Sequence, residues 1–238
     1  MLTGANILEF QTKGYTILIN GLSEAELKHL HDEADTLTNY LISEGYDIIN
    51  DFGCIVEPWS CGFLDGSSDY NMDRDKYSKI RNSISWNNSC DTVQASDIVL
   101  SKYGSTWASL LLQQQVYLLN EQFIIKPPFS LLSSPFAWHK DSDYYQDERH
   151  RQERTVACWT ALDTVDENNG TIEIKDFLGN QETICVPAGS IVFMSDQLLH
   201  TSTGNASSKF RRAYMTQFSS SPLLYQDGQC VALAIKCD

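Results

Sequence analysis

RTVACWTALDTVDENNGTIEIKDFLGNQETICVPAGSIVFMSD, residues 154–196, is the stretch on which the fold turns. Short apolar and β-branched runs alternate with breaks built from Asn, Gly and Pro. RTVACWTALD reads as a strand with Val156, Cys158 and Thr160 on one buried face. TIEI and ETICVP read as two shorter strands, a hairpin pair across Gly179-Asn180, and SIVFMSD as another strand. Working outward, QFIIK (122–126), PFAWHKD (135–141) and KFRRAYMTQFSS (209–220) extend the series. Many short strands joined by such turns indicate an antiparallel sandwich or barrel.

The N-terminal half carries a different pattern. FQTKGYTILIN (10–20) reads as a short strand after a turn. Ser23 followed by Glu26 makes a capping box, Leu22 and Leu27 a staple, and Leu27, Leu30, Ala34, Leu37 and Leu41 recur at helical spacing. STWASLLLQQQVYLLN predicts a second helix over about 105–120. Between them, residues 45–100 are Gly-, Asn-, Asp- and Ser-rich around short apolar pieces such as Ile55–Trp59, the composition of loops that shape a site or its lid. Helices first and strands after argue against a doubly wound α/β fold, and no GxGxxG or Walker motif is present.

Composition bounds the partners. The 238 residues are 42% hydrophobic, enough for one sizeable core. Lys and Arg number 17 against 31 Asp and Glu, a net charge of −14 that repels nucleic acid and anionic membrane. The seven cysteines (54, 61, 90, 158, 185, 230, 237) are widely spaced without CxxC. Neither a disulfide framework nor a Cys-rich zinc site is expected, and a reducing, cytoplasmic setting is. MLTGANILEFQTKG lacks an apolar core flanked by basic residues and does not read as a signal peptide, and no apolar run nears the roughly 20 residues that span a bilayer.

His139 and Asp141 stand two apart in a strand-like segment, so alternation puts both on one face. His200, after SIVFMSD, is the natural third ligand. Two His and one carboxylate on one face of an octahedral ion leave three positions open, the arrangement Fe(II) uses for a bidentate co-substrate and O₂. Asp143, four residues from His139, would lie roughly 13 Å along an extended strand and is too far. His29 and His31 cannot share a helix face, and His150 sits in a charged stretch that reads as a solvated loop. Arg211 and Arg212 point to opposite faces of a strand, so one of them can turn inward. A buried guanidinium needs an anion, and the far carboxylate of 2-oxoglutarate, with a hydroxyl from Ser202, suits a bidentate fork.

Taken together, these segments resemble the phytanoyl-CoA dioxygenase (PhyH) family. The likeness begins at GYTILI and the capped helix and becomes dense from IIKPP (124–128) to FRRAYMTQFSS (210–220). WHKD, the Asn-Asn-Gly that ends CWTALDTVDENNG, PAGSIVFMSDQLLHTSTGN and FRRA each match a family segment in order. The resemblance implies a mainly β protein: a double-stranded β-helix (jelly-roll) core with flanking α-helices. It implies one domain over 1–238, helical over about 1–120 with the jelly roll over about 121–220. It implies Fe(II) on His139, Asp141 and His200, and Arg211 and Ser202 anchoring 2-oxoglutarate. Trp159 is implied beside the co-substrate, Gln122 on the bordering strand and Lys126 in the adjoining turn.

The implied reaction consumes 2-oxoglutarate and O₂, releases succinate and CO₂, and oxidises a C–H bond of a small metabolite or natural-product intermediate. Asp at 141, where related halogenases carry Gly or Ala, points to oxygen insertion. The sequence departs from the family at Lys140, where Gln is usual, and lacks Gly-Ser-His after Asn-Asn-Gly. It also shows no basic patch for the phosphates of CoA. A cupin-like enzyme using another metal without 2-oxoglutarate, and a binding protein on the same fold, are the alternatives.

Overall fold

A computed structural model describes residues 1–58, 73–84 and 93–237. The chain opens with a helix that the sequence reading did not anticipate. Thr3 and Asn6 form a capping box at the start of α1 (Gly4–Lys13), and Gly14 ends it at φ 83°. Phe10–Lys13 are therefore helical, and strand β1 is Tyr15–Leu18. Helix α2 (Glu24–Ser43) starts at the expected Ser23–Glu26 box. Then follow β2 (Ile55–Val56), α3 (Arg74–Ser83), a π-helix (Asp97–Ala108) and a short α4 (Ser109–Leu112). Arg81 of α3 is fully buried. It binds Glu33 of α2 at 2.6 Å and also pairs with Glu121 of β3 (Val116–Lys126), which fastens α3 to the core.

The helix expected over 105–120 is half right. Gln113 takes the left-handed conformation, φ 59°, and closes α4. Val116 begins the 11-residue strand β3, of which QFIIK is only the second half. Val116 and Leu118 are buried at strand spacing, which overrides the helical preference of the Leu- and Gln-rich run. The helical part thus ends near 112. The loop expected over 45–100 falls partly outside the described residues.

The remaining elements are β4 (Phe136–His139), a 3₁₀ turn (Asp141–Tyr144), α5 (Glu148–Gln152), β5 (Thr155–Ala161), β6 (Ile172–Lys175), β7 (Gln181–Thr183), β8 (Ile191–Ser195), β9 (Leu199–Ser202), β10 (Arg211–Ser219) and β11 (Ile235–Cys237). One antiparallel sheet runs β1-β8-β5-β10-β3-β11, with β2 also on β3; the second runs β4-β9-β6-β7. This is a jelly-roll, double-stranded β-helix arrangement with flanking helices, and the two sheets do not close into one barrel. "Mainly β" is corrected. Helices and strands claim comparable lengths, because the helical layer is what buries the outer face of the larger sheet.

Strand β5 shows the layering. Val156 and Cys158 pack in one cluster with Leu30 and Leu37 of α2 and Trp107 of the π-helix. Tyr103 and Thr160 hydrogen-bond there at 2.6 Å. The alternate residues Ala157, Trp159 and Ala161 pack in a second cluster with Ile172 and Ile174 of β6. The face read as buried is therefore the helix face. The other is equally buried and looks into the space between the sheets. The β6–β7 hairpin forms as expected, with Lys175 opposite Gln181 and Gly179 at φ 90°. Among the described residues Cys54, Cys158, Cys185, Cys230 and Cys237 are free thiols, and no helix is long and apolar enough to cross a membrane.

Candidate metal centre and its cavity

His139 ends β4 and lies directly opposite His200 of β9 in the smaller sheet. Lys140 keeps the chain extended for one more residue (φ −110°, ψ 146°), so Asp141, the first residue of the 3₁₀ turn, returns to the same side. Asp141 Oδ1 stands 3.8 Å from His139 Nε2 and 3.7 Å from His200 Nε2. One ligand atom from each of the three lies within 4.8 Å of the others.

The imidazoles are oriented by their own strands. His139 Nδ1 is 2.7 Å from the Ala137 carbonyl, and His200 Nδ1 is 3.0 Å from that of Leu198. A carbonyl only accepts, so each Nδ1 donates its proton and each Nε2 presents a lone pair to the centre. Burial pushes the His200 pKa down, which favours the neutral, ligating ring. The other oxygen of Asp141, Oδ2, accepts a hydrogen bond from Gln217 Nε2 at 2.9 Å. Two imidazole nitrogens and a carboxylate oxygen facing one point are the donor set of a non-haem Fe(II) facial triad.

Other candidates fall away for specific reasons. Asp143 does not lie on an extended strand; the chain turns at Asp141, and Asp143 Oδ2 accepts from the Lys140 amide at 3.0 Å. His150 is not in a solvated loop. It is buried, with Nε2 2.9 Å from the Leu224 carbonyl, and lies outside the triad. His31, on α2, meets Asp163 at 3.2 Å and lies outside the triad.

A cavity of about 460 Å³ opens beside the triad, between the sheets. Its wall includes Gln122, Ile124, Trp159, Met194, Ser202 and Arg211. Arg211 is 1% exposed, and its guanidinium lies 5.7 Å from the Trp159 ring centre. Among the described residues its hydrogen-bond partner is the Ile124 carbonyl at 3.5 Å, and its Nε has none. Burial lowers its pKa to about 10. Neighbouring Arg212 points the other way and pairs with Asp35 at 2.6 Å and Asp163 at 3.2 Å.

Lys126 sits opposite Arg211 in the β10–β3 ladder and is fully buried. Burial, with Arg211 nearby, lowers its pKa to about 6. Its Nζ donates to Ser202 Oγ at 2.7 Å and to the Thr203 carbonyl, under the Phe136 ring. The Asn-Asn-Gly turn makes room for it: at Gly170 (φ 91°) a Cβ would stand 2.8 Å from Lys126 Cδ. Asn205 then ties this corner together, donating to the Lys126 carbonyl at 3.1 Å and the Lys209 carbonyl at 2.7 Å. Gln122 lines the cavity and accepts from Asn120 at 3.1 Å.

The sequence reading missed other wall residues. Tyr144 and Tyr145 leave the 3₁₀ turn into the cavity, Glu57 follows β2, and Val231–Leu233 fold across it. Gln217 was findable, since 211, 213, 215 and 217 share one face of β10. The others come from loops that carry no periodic signal.

No curated protein matches the chain by sequence. Solved structures show its fold. The non-heme alpha ketoglutarate dependent carbocyclase SnoK from nogalamycin biosynthesis is 16% identical, with TM-score 0.65, over 95% of this chain and 87% of that one. The epimerase SnoN of the same biosynthesis is 14% identical, with TM-score 0.64, over 92% and 82%. EctD from S. alaskensis, with 2-oxoglutarate and 5-hydroxyectoine, is 14% identical, with TM-score 0.60, over 92% and 76%. At these identities the likeness speaks for the jelly roll. A family model adds what they do not, running from Phe10 in α1 through Ile174 on β6 and so taking in His139, Asp141 and Trp159. On that match the chain belongs to the phytanoyl-CoA dioxygenase (PhyH) family.

Proposed function

We propose that the chain is an Fe(II)- and 2-oxoglutarate-dependent dioxygenase that hydroxylates a C–H bond of a small molecule, with release of succinate and CO₂. The observation that carries this reading is Arg211: a fully buried cation with no carboxylate in hydrogen-bond contact among the described residues, on the wall of the cavity that holds the triad. A cation in that position calls for an anion from solution.

His139, Asp141 and His200 would hold the iron. When bound, the iron supplies oxygen activation coupled to decarboxylation of 2-oxoglutarate. The chain's own residues do the placing. Arg211 and Ser202 receive the distal carboxylate, and Lys126 reaches the same hydroxyl from behind. Trp159 holds the guanidinium plane and excludes water on that side. Met194, Met215 and Ile172 keep the cavity apolar around the reacting carbon.

The substrate end carries no cation. Arg211 and Lys126 are the basic residues at the cavity among the described residues, and residues 59–72 and 85–92 contain no Lys or Arg. This supports a substrate without phosphate or CoA, such as a natural-product intermediate, and argues against nucleic acid and membrane partners. We take residues 1–238 as one catalytic domain, working in the cytoplasm, where free thiols persist.

A cupin-like enzyme that uses no 2-oxoglutarate would leave Arg211 without a role. The test is anaerobic titration of the Fe(II)-loaded protein with 2-oxoglutarate, followed by succinate release under O₂ with candidate substrates. Saturable 2-oxoglutarate binding that needs the metal supports the reading, and absence of such binding sinks it.

A further inference from the structure

Asp141 has two oxygens, and they face different partners. Oδ1 lies between the two imidazole Nε2 atoms at 3.8 and 3.7 Å, while Oδ2 accepts from Gln217 Nε2 at 2.9 Å. Gln217 comes from the larger sheet and Asp141 from the end of the smaller one, so this contact bridges the two. The backbone at Gln217 is held on both sides, opposite Ala157 of β5 and Asn120 of β3. Immediately after it the β10–β3 register shifts, between Gln217 and Phe218. Such bulges re-aim side chains beside sites. Among the described residues no other side chain donates to Asp141 Oδ2.

We propose that Gln217 is a positioning residue that holds Asp141 as a one-oxygen ligand and so keeps a metal position open for O₂. This rests on the Fe(II)/2-oxoglutarate reading given above. Its logic is a count. An octahedral ion has six positions; three protein donors and a two-oxygen chelate leave one. If Oδ2 also turned to the metal, none would remain. A neutral amide on a carboxylate makes a charge-assisted hydrogen bond, strong enough to decide which oxygen faces the metal without adding a competing charge.

The experiment compares wild type with Gln217→Met, which keeps the length and removes the donor. Gln217→Asn keeps the amide but is one methylene too short, and serves if the first variant does not fold. Each is loaded anaerobically with Fe(II) and 2-oxoglutarate, the chelate is followed by its charge-transfer absorption, and nitric oxide is titrated as a stand-in for O₂ by electron paramagnetic resonance. Both variants are expected to form the chelate and to lose about tenfold or more in nitric oxide affinity. Nitric oxide affinity within about twofold of wild type would overturn the proposal. So would loss of Fe(II) itself, which would place Gln217 in metal retention. If wild type forms no chelate, the oxygenase reading fails and this inference goes with it.

Discussion

Replacing Arg211 by Met separates co-substrate binding from stability. In most proteins, removing a fully buried arginine destabilises the fold because its acid partner is left behind. Among the described residues Arg211 has no such partner: it meets one carbonyl at 3.5 Å, and its Nε is unpartnered. Burial lowers its pKa to about 10, a bias of roughly 3 kcal/mol against the charged form. Methionine occupies much of the same space without that penalty, so the ligand-free variant should melt at or above the wild-type temperature.

Binding should respond in the opposite sense. Truncating one side of a buried, hydrogen-bonded charge pair costs about 2–5 kcal/mol, or roughly 30- to 4000-fold in Kd for 2-oxoglutarate. Lys126 remains nearby to share the anion, so the loss should fall in the lower half of that range. The assay is a thermal melt of the metal-loaded, anaerobic protein against 2-oxoglutarate concentration. Wild type should gain about 2.7 kcal/mol at a hundredfold excess over Kd, and the variant less than about 1 kcal/mol at the same concentration. Arg212→Ala is the control: it breaks the half-exposed pairs with Asp35 and Asp163 and should leave the ligand response intact. A ligand-free Arg211→Met protein melting far below wild type, or equal ligand responses in both variants, would refute the reasoning.

His139→Ala and Asp141→Ala should each abolish iron retention, measured by elemental analysis after anaerobic reconstitution; wild-type-like iron in either would remove the triad assignment. Lys126 has a pKa of about 6, so between about pH 6 and 10 the unfolded chain binds more protons than the folded one, and ligand-free stability should rise with pH across that window. Denaturant melts should show this slope in wild type and not in Lys126→Met, and a slope in both would clear Lys126 of the effect. With a carboxylate at 141, turnover in molar chloride under ¹⁸O₂ should give ¹⁸O-labelled product, and a dominant chlorinated product by mass spectrometry would overturn the hydroxylase assignment.

What was legible in the sequence was what short-range alternation transmits. His139 and Asp141 face one way because one extended residue separates them, and Arg211 and Arg212 face opposite ways for the same reason. Where the backbone leaves a strand, that rule stops. It placed Asp143 on a strand that ends before it, and it read 113–120 as helix because Leu and Gln suit either state until β10 and β11 supply partners. His150 looked solvated because its neighbours are charged. Its burial comes from Leu224, 74 positions away. Gln217 and Asp141 are 76 apart, and only the packing of two sheets brings them together.

The two buried basic side chains, Arg211 and Lys126, bear on this chain's charge as a whole. With 31 acids available, pairing Arg211 or Lys126 internally would have been easy, and Arg212 next door has two acidic partners. Yet Arg211 and Lys126 are placed opposite each other on adjacent strands, where burial and the Arg211 charge lower the tendency of Lys126 to stay charged. The flanking positions on those strands, Ile124 and Ala213, are apolar, so no acid is supplied from the same face. Lys126's two hydrogen bonds, to Ser202 and the Thr203 carbonyl, match the two N–H groups of a neutral amine. Protonation adds a third N–H and a charge, and an arriving carboxylate can use both. The corner is therefore destabilised when empty and relieved when an anion enters. On the proposed assignment of Arg211 and Lys126, that is how an acidic protein, repelling anions over most of its surface, would admit one dianion at one place.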